Sequence, residues 1–197
     1  MDPAAAVFKA HCLHRHPAVP QVILSRYSEL LAHLETSQER LWHNGNSGRL
    51  AQQIRCYYEL VASRFGGDEA PTVCETGFNI GHSAVTFMSA LPPSAAYYGF
   101  DLGQLRGLTR GAVGLLNTSF FPSRVHVAYG KSKRTLPAFV EDNPTLKCDV
   151  ISIDGDHSDE GMAADWASLK QLAHSRSLVF TDECVARWPP SRDLSAT

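Results

Sequence analysis

Five short apolar runs of this 197-residue chain each end in side chains able to bind or react. Glu75 precedes the turn Gly77-Phe78-Asn79-Ile80-Gly81, with Ser83 just beyond it. Asp101 is followed by Leu102 and Gly103, and Gly130 by Lys131, Ser132 and Lys133. Asp154 opens the run Gly155-Asp156-His157, and Asp182 stands beside Glu183. Each group suggests its own chemistry. Glycines let a backbone turn sharply and approach a ligand, and a helix starting near Ser83 would offer free N–H groups and a positive dipole end. A carboxylate such as Asp101, closing the next strand, can accept hydrogen bonds from both hydroxyls of a ribose. Together these residues specify a cofactor that contains a nucleoside.

The sign of the local charge narrows that cofactor. A dinucleotide site is marked by G-x-G-x-x-G, whereas position 79 here is asparagine. Glu75, directly ahead of the turn, would repel a pyrophosphate but suits an amine and a sulfonium. S-adenosylmethionine is favoured over a nicotinamide dinucleotide on this ground.

Such residues must be held by elements that bring strand ends together. Strands are expected over residues 72–76, 96–100, 124–129, 149–153 and 177–181, separated by helix-length segments over 83–91, 104–117, 132–142 and 159–174. Alternation of this kind predicts an α/β fold, a Rossmann-like, mainly parallel sheet with helices on both faces. In such sheets ligands bind outside the carboxyl ends of the strands, where the reactive residues fall. Ahead of the sheet, residues 1–20 read as an irregular arm. Residues 21–66 read as two helices forming a cover over the site, residues 67–190 as the sheet domain, in one globular unit with that cover, and residues 191–197 as a tail.

The segments VCETGFNIGHSAVTFMSAL, VHVAYGKSKRTLPAF, ISIDGDHSDEG and VFTDE resemble the class I S-adenosylmethionine-dependent methyltransferases, and within them the metal-dependent O-methyltransferases of the catechol type. The resemblance spans roughly residues 44–183. It implies that Gly77, Asn79 and Ser83 line the cofactor's methionine half, with Asp101 on the ribose, Leu102 beside the adenine and Ser132 and Lys133 near the adenine edge; Glu75, Phe78 and Gly81 are expected cofactor-binding residues of the same turn. Asp154 borders the cofactor as well. It further implies that Asp154, Asp182 and Glu183 hold Mg2+ or another divalent cation, and that His157 takes the acceptor's proton beside Asp154. Three oxygen ligands leave open positions on such a cation, which lowers the pKa of a coordinated hydroxyl. Imidazole as a side-chain type has an ordinary pKa of about 6.5 and so can accept a proton at neutral pH.

Bland readings compete with these assignments. Asp154 could merely cap a turn, Asp156 could cap the helix beginning near Ser158, and His157 could be a polar loop residue. One departure concerns the fold. The methyltransferase sheet closes with an antiparallel β-hairpin, and the segment after Asp182, with Pro189, Pro190 and a polar tail, cannot supply it. The expectation is therefore a sheet missing that hairpin. The principal functional expectation is O-methylation of a small hydroxylated molecule. A methyltransferase-like domain without turnover and a nicotinamide-dependent oxidoreductase are the alternatives.

Composition sets the remaining expectations. With 18 basic against 20 acidic residues and no run of like charge, neither nucleic acid nor a membrane surface is an expected partner. The first residues lack a secretory-signal profile, so a cytoplasmic location is expected, with a homodimer compatible. The five cysteines are scattered and never paired as C-x-x-C, so they are expected to be reduced and structural.

Overall fold

The computed structural model describes residues 19–35, 51–104 and 106–181. Five strands, β1 (Thr72–Thr76), β2 (Ala96–Asp101), β3 (Val125–Tyr129), β4 (Val150–Ile153) and β5 (Leu178–Thr181), form one sheet in the order β3-β2-β1-β4-β5. Every neighbouring pair is parallel. Burial follows position in the sheet. The inner strand β4 reads Val-Ile-Ser-Ile and is buried at every residue, as a strand covered on both faces must be. At the edge, His126 and Ala128 of β3 are exposed, and only Val125 is buried.

Helices supply the crossovers. α1 (Gln21–Glu35), α2 (Ala51–Phe65), α3 (His82–Ser89) and α4 (Arg106–Leu115) belong to one side of the sheet, and α5 (Ser132–Asp142) and α6 (Asp159–Leu169) to the other. The expected helix over 104–117 ends in a π turn, Leu116–Phe120, from which Asn117 reaches the start of β3. Its Nδ2 donates to Val125 O at 2.7 Å and its Oδ1 accepts from Val125 N at 2.9 Å.

The two faces have separate cores. Ile23, Leu30, Val61, Phe65, Val73, Phe87 and Tyr97 belong to one, and Cys74, Phe100, Leu136, Ile151 and Leu169 to the other. Helices α1 and α2 pack against α3 on the first face, with α1 also meeting α4. Tyr27 of α1 donates to His82 O at 2.9 Å and shares a hydrogen bond with Thr86 Oγ1 at 2.6 Å. These bonds pin the start of α3, and hence the glycine turn ahead of it.

The expectation of reduced cysteines is corrected. Cys74 and Cys148 form a disulfide with a Cα–Cα distance of 5.8 Å, and Cys56 is disulfide-bonded too. The reason is topological. Crossing between the adjacent strands β1 and β4 places Cys74 beside the residue run that leads into β4, although 74 positions separate the pair. The expectation of a missing C-terminal hairpin concerns residues 182–197, outside those described.

Candidate active site

Strand order reverses between β1 and β4, and just beyond their ends the two backbones come close together. A Cβ placed on Gly77, whose φ is +87°, would lie 1.9 Å from Asp154 O. Only glycine fits this crossing without displacement. The sheet's hydrogen bonding continues one residue past its strands, with Asp154 N donating to Thr76 O, Gly77 N to Phe100 O and Gly130 N to Asp101 O. The loop residues therefore inherit the register of the sheet.

A cleft of about 690 Å³ opens at these ends. Of the expected residues, Gly77, Asn79, Asp101, Leu102, Ser132, Lys133, Asp154 and His157 line it. Glu75, Phe78, Gly81 and Ser83 lie behind that lining. Phe78 is buried in the core against Tyr97, and Ser83 Oγ donates to Glu75 Oε2 at 2.7 Å. Asp182 and Glu183 are outside the described residues. Helices α1 and α2 contribute nothing to the lining. Thr76, Phe100, Gln104 and Thr109 are lining residues with no motif signal to mark them, since their types are common at any strand end or helix start.

Backbone donors aim Asp101. Its Oδ2 accepts from Asn79 N at 2.8 Å and its Oδ1 from Gly103 N at 2.7 Å. Asn79 takes a left-handed conformation, φ +51°, a region asparagine tolerates better than most residues. Beneath the turn, Glu75 is fully buried, and its Oε2 also accepts from the Tyr97 hydroxyl. Its Oε1 has no hydrogen bond of ordinary geometry among the described residues. Burial pushes the Glu75 carboxyl up to about 7 against the pull of hydrogen bonds from Tyr97, Ser83 and Ser152. Burial, followed by the charge of Glu75, raises the Tyr97 phenol well above its ordinary range.

After β4, His157 Nε2 stands 3.8 Å from Asp154 Oδ1, with the imidazole half-exposed at the cleft rim. Ser158, rather than Asp156, is the N-cap of α6, its Oγ accepting from Gly161 N at 3.0 Å. Asp156 Oδ1 accepts from Ser158 N just ahead of that cap. The Ser158 hydroxyl and then the Ser158 amide hold the Asp156 carboxyl below its usual range. Behind the cleft, α6 carries Asp165, which is fully buried. Burial raises its pKa, and the hydroxyls of Ser132 and Thr76 draw it back.

The donor set suits a cationic nucleoside cofactor. A carboxylate oriented by two amides closes β2, and an incompletely satisfied buried carboxyl underlies the glycine turn. For a divalent cation, Asp154 is the one expected ligand within the described residues, and these hold no cluster of three His, Cys, Asp or Glu.

This parallel sheet is a Rossmann-like fold, which solved methyltransferase structures share. CalS11, a calicheamicin methyltransferase, is 16% identical over 96% of this chain and 88% of its own, with a TM-score of 0.56. The O-methyltransferase TomG from Streptomyces achromogenes, solved with SAM, is 16% identical over 87% of this chain and 75% of its own, at 0.60. The O-methyltransferase from Bacillus cereus, solved with SAH, is 18% identical over 82% of this chain and 64% of its own, at 0.58. No curated protein matches the chain by sequence. Residues 74–184, more than half the chain, match the family model of a methyltransferase domain, and the chain belongs to that family. It is an S-adenosylmethionine-dependent methyltransferase. Among the described residues no helix is long and apolar enough to cross a membrane.

Proposed function

We propose that this methyltransferase acts on a hydroxyl group of a small molecule, with His157 as the base and Asp154 as its partner. The observation that carries this reading is the Asp154–His157 pair, 3.8 Å apart on the rim of the cleft and next to the β1–β4 crossing. S-adenosylmethionine supplies a sulfonium methyl group, so that an oxygen–carbon bond forms as the sulfur–carbon bond breaks. His157 Nε2 takes the hydroxyl proton, and Asp154 orients the imidazole and stabilises its cation. Because His157 is half-exposed, that proton can pass to water afterwards. The cleft walls set acceptor and donor in line, from which much of the rate derives. The O-methyltransferase descriptions of TomG and the Bacillus cereus protein support oxygen as the acceptor atom.

Metal assistance is the finer part of this proposal. Asp154 with Asp182 and Glu183 would hold a divalent cation that acidifies the acceptor hydroxyl. Support comes from the register. Ile153 pairs with Thr181, and Asp154 and Asp182 are the residues that follow them in sequence.

Methyl transfer to a panel of catechols, other phenols and sugar hydroxyls, followed by mass spectrometry, tests the proposal. Product with the wild type, and a loss of about 100-fold or more in His157→Ala, is expected. Transfer undiminished in both His157→Ala and Asp154→Ala would refute the assignment. Chelator followed by Mg2+ tests the cation separately, with loss and recovery of turnover expected.

A further inference from the structure

Asp165 occupies the middle of α6 with no exposed surface, and neither carboxylate oxygen has a hydrogen bond of ordinary geometry among the described residues. The hydroxyl of Thr76, the last residue of β1, is buried and unpartnered in the same way. Both groups face Gly155. A Cβ on Gly155 would stand 3.1 Å from Asp165 Oδ2 and 3.2 Å from Thr76 Oγ1, so glycine preserves the space through which they approach. Ser132, the first residue of α5, is the second hydroxyl acting on Asp165. Thr76, Ser132 and Gly155 all line the cleft, and they come from three different strand ends.

A buried carboxylate without donors is costly, and this one has two hydroxyls that can rotate toward it. We propose that Asp165 is a positioning residue for the cofactor, a hidden acceptor that draws the hydroxyls of Thr76 and Ser132 together and so fixes the spacing of the two cleft walls. With the cleft filled, those walls cannot relax outward, and the shared acceptor completes its hydrogen bonds. The carboxylate itself remains behind the lining and touches no reacting atom. This inference rests on the assignment of the cleft to S-adenosylmethionine.

Calorimetric titration with S-adenosylmethionine provides the test, applied to wild type, Asp165→Asn, Thr76→Val, Ser132→Ala and the double variants, with thermal unfolding as a control. Wild-type binding is the control for the cofactor assignment. Its absence would overturn that assignment and this inference together. With wild type binding, Asp165→Asn is expected to weaken affinity about tenfold, the scale of hydrogen bonds to a charged group. Turnover at saturating cofactor should change far less. Added to Thr76→Val or Ser132→Ala, Asp165→Asn should cost much less than it does alone, because its effect runs through those hydroxyls. Losses that simply multiply, or an Asp165→Asn affinity equal to wild type, would overturn the proposal while leaving the cofactor assignment intact. Should Asp165→Asn not fold, the cycle between Thr76→Val and Ser132→Ala carries the same test. Sharing one acceptor, their losses are expected to be coupled, and independent losses would refute the link.

Discussion

Replacing Glu75 with glutamine should change how stability depends on pH, and the structure supplies the size of the effect. The carboxyl is fully buried under the glycine turn and is pushed from an ordinary 4.5 to about 7, chiefly by burial. A carboxyl whose folded pKa is raised binds its proton more tightly in the folded chain than in the unfolded one. Its contribution to stability is then complete below the unfolded value and is lost as pH rises through about 7. Linkage between those two values gives a loss of about 2.5 kcal/mol between pH 5 and pH 8. Glutamine resembles the protonated form and cannot titrate, so Glu75→Gln should lack this component. Other shifted groups leave the comparison clean. Asp165 is raised in both proteins, Asp156 is lowered and titrates at more acid pH, and Tyr97 titrates above the window. Urea unfolding followed by circular dichroism at intervals from pH 5 to pH 8 measures the difference. The two stability curves should approach and cross as pH rises, with the variant gaining about 2.5 kcal/mol relative to wild type. Parallel curves across the window would mean that Glu75 is already ionised in the fold, and the account of its burial would fail.

Further expectations follow from the crossing, the cross-link and the charge beneath the turn. Gly77→Ala puts a methyl group 1.9 Å from Asp154 O in a left-handed backbone, and urea unfolding should show a loss of about 3 kcal/mol or more. Gly67→Ala, with nothing within 4 Å of its Cβ, should stay within about 0.5 kcal/mol of wild type in the same assay. Removing the Cys74–Cys148 bond, which closes a separation of 74 residues, by Cys74→Ala with Cys148→Ala should cost about 4 kcal/mol, read without reductant as a urea midpoint below that of wild type, the Cys56 bond being left intact. Binding of a sulfonium cofactor near Glu75 should favour its carboxylate and release protons around pH 7. Calorimetry in buffers of different ionisation enthalpy measures that release, and Glu75→Gln should diminish it.

What could be read from the sequence depended on the range of the interaction. Strand-helix alternation is local, and all five strands lie where the apolar runs predict them, within a residue or two of the expected ends. The strand-end residues were legible for the same reason, since a parallel sheet delivers each loop to one edge whatever the side chains are. Pairings set by the sheet order were not. Cys74 meets Cys148 because β4 inserts beside β1, and Tyr97 reaches Glu75 because β2 lies on its other flank. Nothing in the spacing of either pair announces this.

Asp165 was obscured differently. An aspartate in the run Ala-Ala-Asp-Trp reads as the solvent face of a helix, yet Met162, Asp165 and Leu169 recur at helical spacing and are all buried. An acid inside an apolar stripe is a local rule broken, and such breaks gather where a fold gives up stability to hold a site. Two neighbouring features follow the same logic. Glu75 stays incompletely paired beneath the glycine turn, and Gly77 keeps a conformation that other residues adopt only with strain. All three surround the one crossing of β1 and β4, where the sheet opens its cleft. Substitutions that relieve the two buried acids toward ordinary packing should therefore separate stability from cofactor binding, gaining the first while losing the second, whereas Gly77 admits no such relief.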